Sequence, residues 1–243
     1  MRFSERVLDL FGDDAVWSDD HEGMSGHLLR VTSAAGVFYV KHGPAAEAEY
    51  ERLRWLKHWM AVPDIVAFDE DVLVLADVGW PSLERRAPAD IGSVMGGVLR
   101  ELHAVPIEEC PFDERLPVRL ARAEERLRAG LVDADDFDDD HADLSAEQVY
   151  ERLLAERPAR EDLVVAHGDY TPGNVLVSRT GQPVLIDVGG LGVADRHLDL
   201  AVVLRELSED FGESAVGDFL AAYGPEEVDR RRLDYYRLLD EMF

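Results

Sequence analysis

The sequence predicts an α+β chain built as two lobes, a small one of antiparallel strands followed by a larger, mainly helical one. Three observations carry this. Short runs of β-branched and aromatic residues, bounded by turn residues, are concentrated before residue 77. From Ile91 onward apolar residues recur mainly at helical spacing. Between them Asp77-Val78-Gly79-Trp80-Pro81 interrupts both patterns, which divides the chain into a first lobe, residues 1–76, and a hinge with the second lobe, residues 77–243.

Taken in order, residues 28–32 and 37–41 read as two strands joined by the turn Ser33-Ala34-Ala35-Gly36. Pro44 stands where a helix begins, residues 45–60 are rich in helix formers, and Pro63 closes the segment. Residues 65–68 and 72–76 flank the acidic turn Asp69-Glu70-Asp71 as a hairpin. In the second lobe, Val94, Val98, Leu99 and Leu102 fall on one face of a helix over residues 91–103. Residues 119–130 and 146–156 read as two further helices, separated by an acidic loop over 131–141. Short strands follow at 163–166, 175–177 and 183–187, then helices at 199–211, 215–223 and 226–242.

Composition narrows the partners. With 51 Asp plus Glu against 25 Lys plus Arg, the formal charge is −26. Such a surface repels nucleic acid and anionic membranes and attracts cations, although solubility alone explains it equally well. The 47% hydrophobic content supplies a core, so the charge does not signal disorder. Cys110 is the single cysteine, which excludes an intrachain disulfide and a thiolate-rich metal site. The first twelve residues lack a signal-peptide apolar core, and no apolar run reaches the ~18 residues of a membrane span. A soluble cytoplasmic protein is the expectation.

Three separated segments carry chemistry. Lys41 ends a strand, and Glu49 shares the apolar face of the next helix with Leu53, Leu56 and Met60. A carboxylate on that face needs a cation, because an unpaired buried charge is costly, and Lys41 is the natural partner. The second segment is His167-Gly168-Asp169-Tyr170-Thr171-Pro172-Gly173-Asn174. Its Asp-x4-Asn spacing is that of the protein-kinase catalytic loop, in which a carboxylate meets the attacking hydroxyl while an amide oxygen reaches a metal. The third is Ile186-Asp187-Val188-Gly189, an Asp after a strand with Gly two residues on, suited to hold a hard, oxygen-ligated cation. One such match arises easily by chance; three in this order do not.

These segments, with Leu191-Gly192-Val193-Ala194-Asp195-Arg196 and the terminal Tyr236-Arg237-Leu238-Leu239-Asp240-Glu241-Met242-Phe243, resemble the aminoglycoside phosphotransferases, most closely the 3′-phosphotransferases. Cys110-Pro111-Phe112-Asp113, Gly130-Leu131-Val132-Asp133 and Glu22-Gly23-Met24-Ser25 add to the likeness, which spans essentially the whole chain. The resemblance implies a protein-kinase-like two-lobed fold and transfer of the γ-phosphoryl of ATP, or GTP, to an aminoglycoside hydroxyl, the 3′ one, giving antibiotic resistance. It implies Asp169 as catalytic carboxylate, Asn174 and Asp187 as Mg²⁺ ligands, and Lys41 on phosphate oxygens, placed by Glu49. Ser25 would approach the nucleotide phosphates, Tyr39 would pack on the base, and backbone groups near Ala76 and Val78 would read its edge. His167 would brace the loop. No nucleic-acid or membrane partner is expected, and the protein would be a monomer or weak dimer.

Aminoglycosides are polyamines, which gives the acidity a use. The resemblance places Asp136, Asp138 and Asp139 of the acidic loop, Glu241 and the terminal carboxylate of Phe243 around the substrate, and Arg205, Glu206, Glu209 and Asp210 lie on a later helix. Exposed ion pairs contribute only ~0.2–1 kcal/mol each, so several must act together. Two departures stand out. Gly190 occupies a position where the family usually carries Arg, and the interval from Lys41 to Glu49 is short. Two rival readings follow, a kinase of another small alcohol or a macrolide, and a catalytically dead homologue that only binds polycations.

Overall fold

The computed structural model describes residues 3–18, 28–138, 140–177, 180–225 and 228–243. Ser25 and Asp139, singled out above, lie outside the described residues. The chain divides into two compact units, Met1–Ser82 with Val175–Gly189, and Leu83–Asn174 with Gly190–Phe243.

Alternation of side chains along its strands builds the first unit. β1 (Val16–Ser18), β2 (Leu28–Ser33), β3 (Gly36–His42), β4 (Ile65–Asp69) and β5 (Val72–Ala76) form an antiparallel sheet in the order β1-β2-β3-β5-β4. Val40 of β3 pairs in register with Val74 of β5, and both are fully buried with Val31. Val7 and Phe11, from a short helix α1 (Glu5–Leu8) and the turn after it, join the same core. On the strand β3, Tyr39 and Lys41 alternate with Val40 and so share the opposite face. Helix α2 (Pro44–Leu56) starts with Pro in its first turn and buries Ala46, Glu49, Leu53 and Leu56. The hairpin β7 (Val175–Val177) and β8 (Pro183–Leu185) completes this unit, the Leu185 N–H donating to the Ala61 carbonyl at 3.0 Å.

The second unit is helical around one short ribbon. Its elements are α3 (Ile91–His103), α4 (Leu116–Arg128), α5 (Ala146–Ala155), β6 (Leu163–Ala166), β9 (Gly192–Asp195), α6 (His197–Glu206), α7 (Glu213–Tyr223) and α8 (Arg230–Asp240). β6 and β9 pair antiparallel. α3 and α7 pack at backbone distance through glycines: a Cβ on Gly92 would lie 2.1 Å from the Ala215 carbonyl oxygen, and one on Gly96 2.5 Å from that of Phe219.

Several boundaries differ from the sequence expectation. The unit division falls after Ser82 rather than after residue 76, and it returns residues 175–189 to the first unit, because the β7–β8 hairpin bonds to Ala61 and bridges Ser82. The strand expected at 183–187 stops at Leu185, since Asp187 takes a left-handed backbone, φ 54°. The last helix starts at Arg230, where the Asp229 side chain caps it. The α4 helix starts three residues earlier than read, with Pro117 in its first turn. The helix read over 199–211 is α-helical only to Glu206; residues Leu207–Phe211 widen into a π-turn. α1, β1 and β9 had no strong periodic signal of their own.

Candidate active site

The first unit carries a charged triad. Lys41 Nζ donates to both carboxylate oxygens of Glu49, at 2.6 and 2.8 Å, and to Asp187 Oδ1 at 3.0 Å. Glu49 is 4% exposed, so the helical periodicity did place a carboxylate inside, against its cation. Burial works against a charged Lys41, but the two carboxylates outweigh it and raise its pKa, which keeps the ammonium protonated. Asp187 remains half exposed, its side chain 53% accessible, just past the strand end. Of the expected base-binding groups, Tyr39 is half-buried on the face of Lys41. The Ala76 N–H donates to the Asp64 carbonyl and is thereby occupied, while Val78 lies beyond the last ladder residue.

The second unit carries the loop after β6. Asp169 is exposed at its tip, and Asn174 Nδ2 donates to both its carbonyl oxygen and its Oδ2, each at 2.9 Å. The amide nitrogen is therefore turned toward Asp169, which turns its Oδ1 elsewhere as a hard oxygen donor. Gly168 has φ 88°, and a Cβ there would lie 2.3 Å from the Gly190 carbonyl oxygen, so the position accepts only glycine. The two amides preceding Asp169 are held by a residue the sequence reading missed. Asp199, fully buried on α6, accepts from His167 N at 2.7 Å and Gly168 N at 2.8 Å. Its Oδ2 also meets His103 Nε2 at 3.0 Å, and His103 Nδ1 contacts the Tyr223 hydroxyl at 2.8 Å. His167 itself is fully buried, and its backbone amide is tied into this network.

Arg119 is the second missed residue. Its guanidinium, buried on α4, donates to the Gly190 carbonyl at 3.3 Å and reaches that of Gly168 at 3.5 Å. It pairs with the buried Glu114 at 3.3 Å. A side chain begun at Gly190 would meet Arg119 Nη2 at 3.3 Å. The glycine that removes one cation thus leaves its surroundings to another.

An acidic wall lies around Asp169. Glu206, at the end of α6, has its pKa pushed up to about 7, by burial and then by the negative charges of Asp169, Asp210 and Glu84 against the relief given by Arg205. Asp240, part of the terminal motif, is pushed up to about 6, by burial first and then by Asp169 and Glu241, offset by Arg205 and Arg119. Carboxylates that hold protons this near neutrality are poised to exchange them for ligand cations. Glu209 and Asp210 are exposed on the π-turn, and Asp136 is exposed on the acidic loop. Arg205 is not a free wall residue: it bridges Asp138 at 2.8 Å and Asp240 at 3.3 Å. Glu241 is nearly buried, 5% exposed, against His141. The Phe243 oxygen accepts from Arg126 at 2.7 Å, and its ring lies under the Arg119 and Arg126 guanidinium groups.

Comparison with known proteins agrees with this architecture. The sequence profile of the phosphotransferase enzyme family matches residues 20–236. An aminoglycoside 3′-phosphotransferase of Streptomyces fradiae is 40% identical, over 93% of this chain and 95% of its own length. A solved aminoglycoside-3′-phosphotransferase of type VIII superposes with a TM-score of 0.88 at 38% identity, covering 98% of this chain and 97% of its own. An aminoglycoside phosphotransferase of Streptomyces rimosus, solved with ADP and streptomycin, gives a TM-score of 0.75 at 27% identity over 88% of this chain and 90% of its own. A buried lysine–glutamate pair, an Asp-x4-Asn loop and a kinase-like α+β fold thus coincide with relatives that match nearly end to end, and the chain belongs to the phosphotransferase enzyme family, among the aminoglycoside phosphotransferases.

Proposed function

We propose that the protein phosphorylates aminoglycosides, moving the γ-phosphoryl of ATP, or of GTP, to the 3′-hydroxyl of the antibiotic and so conferring resistance. The observation that carries this is the clustering, on one unit, of an exposed Asp169 with the carboxylates of Glu206 and Asp240, close enough that the charge of Asp169 raises the pKa of both. A neutral alcohol gives such a wall nothing to bind, and a monocation such as a macrolide amine engages only part of it. Asp169 would orient the hydroxyl and accept its proton as the oxygen attacks phosphorus, the bond to the departing diphosphate breaking as the new one forms. Asn174 fixes the Asp169 carboxylate by its amide hydrogen bonds, and Lys41 would neutralise phosphate oxygens. Asn174 and Asp187 each offer an oxygen donor of the kind Mg²⁺ takes, and the ion would supply charge neutralisation on the phosphates. The Asp187 carboxylate is already polarised by Lys41. Among the described residues no helix is long and apolar enough to cross a membrane.

The test is nucleotide consumption with ATP and with GTP across an aminoglycoside panel that includes compounds lacking the 3′-hydroxyl. Consumption should depend on the antibiotic and vanish for the 3′-deoxy compounds. Consumption with neutral alcohols instead, or polyamine binding with none, would sink the proposal.

Proton exchange at the wall gives a pH signature. Glu206 has a raised pKa, so it is largely protonated at pH 6 and ionised at pH 8. An ammonium ligand favours the ionised form, so KM for the aminoglycoside should fall as pH rises through about 7. Glu206→Gln should flatten that part of the profile while leaving KM for ATP in place. The same raised pKa makes the ionised group a stability cost above its unfolded value, so Glu206→Gln should raise Tm at pH 8 and not at pH 4. A Glu206→Gln profile as steep as the parent's would show that another group titrates.

A further inference from the structure

The segment Cys110-Pro111-Phe112-Asp113 runs alongside β9 and delivers a buried cation to the Asp169 loop. The Val193 N–H donates to the Phe112 carbonyl at 2.8 Å, and the Glu114 N–H to that of Val193 at 3.0 Å. A Cβ on Gly192 would lie 2.7 Å from Glu114 Cγ, so the glycine of β9 leaves that side chain its room. Glu114, 1% exposed, accepts from Arg122 through both oxygens, at 2.9 and 3.3 Å, and pairs with Arg119. Arg119 Nη2 in turn lies between two carbonyl oxygens, 3.3 Å from that of Gly190 and 3.5 Å from that of Gly168. A Cβ on Gly168 would come within 2.6 Å of the same Nη2, so cation and backbone are packed without slack.

The Gly168 carbonyl belongs to the peptide that ends in the Asp169 nitrogen. Asp199 holds the two peptides before it, through the His167 and Gly168 amides. Gly168, at φ 88°, has no side chain to fix the turn, so the following peptide needs an anchor of its own. Arg119 faces that carbonyl, and a guanidinium stays charged in a buried site. We propose that Arg119 is a positioning residue for Asp169: by tying the Gly168 carbonyl to that of Gly190, it fixes the peptide from which Asp169 projects, and the 110–114 segment holds the cation in place. The tie is read from backbone contacts alone; its effect on turnover rests on the function proposed above. Arg119 also lies over the Phe243 ring, but Arg126 holds the chain end independently, through the Met242 and Phe243 oxygens.

Steady-state kinetics with kanamycin and ATP on the full chain test it, with Tm measured alongside. A lysine at this position ends one atom short of Nη2, so it keeps the pairing with Glu114 and withdraws from the carbonyls. Arg119→Lys should therefore hold Tm within about 3 °C of the parent while kcat falls ~10²-fold, with both KM values within about twofold. Arg119→Met should lower kcat at least as far; Glu114 keeps Arg122 there, so no lone charge is left buried. Hydrogen exchange of the backbone amides in 166–170, followed without substrate, should speed up in both variants. Parental kcat in Arg119→Lys, with loss only in an Arg119→Met variant of lowered Tm, would make the residue a matter of stability and overturn the proposal. Unchanged exchange would overturn it whether or not the protein turns kanamycin over. Faster exchange in a protein whose parent shows no turnover would keep the tie and sink the functional reading instead.

Discussion

Asp169→Ala is expected to abolish aminoglycoside-dependent nucleotide consumption, with kcat down by about 10²–10⁴-fold, the usual weight of a positioned base. The structure makes two further outcomes specific to this residue. Asn174 Nδ2 loses its side-chain acceptor at 2.9 Å but keeps the Asp169 carbonyl, so the loop should hold its shape and Tm should move little. Asp169 is also one of the charges that hold the Glu206 proton, so its removal should let Glu206 ionise at lower pH. The pH at which polyamine binding tightens should therefore shift downward in the same variant that no longer turns over. Asp169→Asn separates orientation from proton acceptance, because it can still hold the hydroxyl but cannot take its proton. An alanine variant within tenfold of the parent kcat would remove Asp169 from the chemistry.

How much of this was legible in the sequence depends on the kind of signal. Lys41 and Glu49 were readable because helical periodicity puts Glu49 on the same face as Leu53 and Leu56, and a buried carboxylate requires a cation. Asp169 and Asn174 were readable because their spacing is a local property of one loop. Asp199 was not, for its partners are two backbone amides some thirty residues back and a histidine ninety-six residues back. No local pattern distinguishes a carboxylate that meets amides from one that meets water. Arg119 was hidden likewise, its partners being the carbonyls of Gly168 and Gly190. Among the acidic residues the sequence located the region and not the roles. Asp138 and Glu241 carry the expected charge, yet both are engaged by Arg205 and His141, while Asp240 carries one of the raised pKa values. Burial decides between those roles, and burial is set by the meeting of the 131–141 loop with the end of α8. The joining of residues 175–189 to the first unit has no local signal for a similar reason, since it rests on contacts made in space.

The second large effect is expected at Asp199. Asp199→Ala removes the acceptor of two backbone amides and of His103 at once, inside a fully buried site. Breaking such a group from one side typically costs ~3–5 kcal/mol, and in a chain of this size ~1 kcal/mol moves Tm by about 2–4 °C. Tm should thus fall by roughly 10 °C. The pH dependence identifies the cause. Burial opposes ionisation of Asp199, but the hydrogen bond and charge of His103 and the His167 amide outweigh it and hold the carboxyl below its ordinary value. A depressed acid contributes stability above its unfolded pKa, about 3.9, and loses it as pH falls through the lower folded value. The gap in stability between parent and Asp199→Asn should therefore be widest near pH 7 and narrow toward pH 3. Asp199→Asn also turns an amide N–H toward one backbone donor, so the segment just before Asp169 should shift. A displacement of about 1 Å at a reacting group can cost ~10²-fold, so kcat should fall at temperatures where the variant is folded, with KM for the polyamine less affected. A folded Asp199→Asn with parental kcat would show that the loop holds Asp169 without this carboxylate, and the placement would then fall to Asn174 and Arg119.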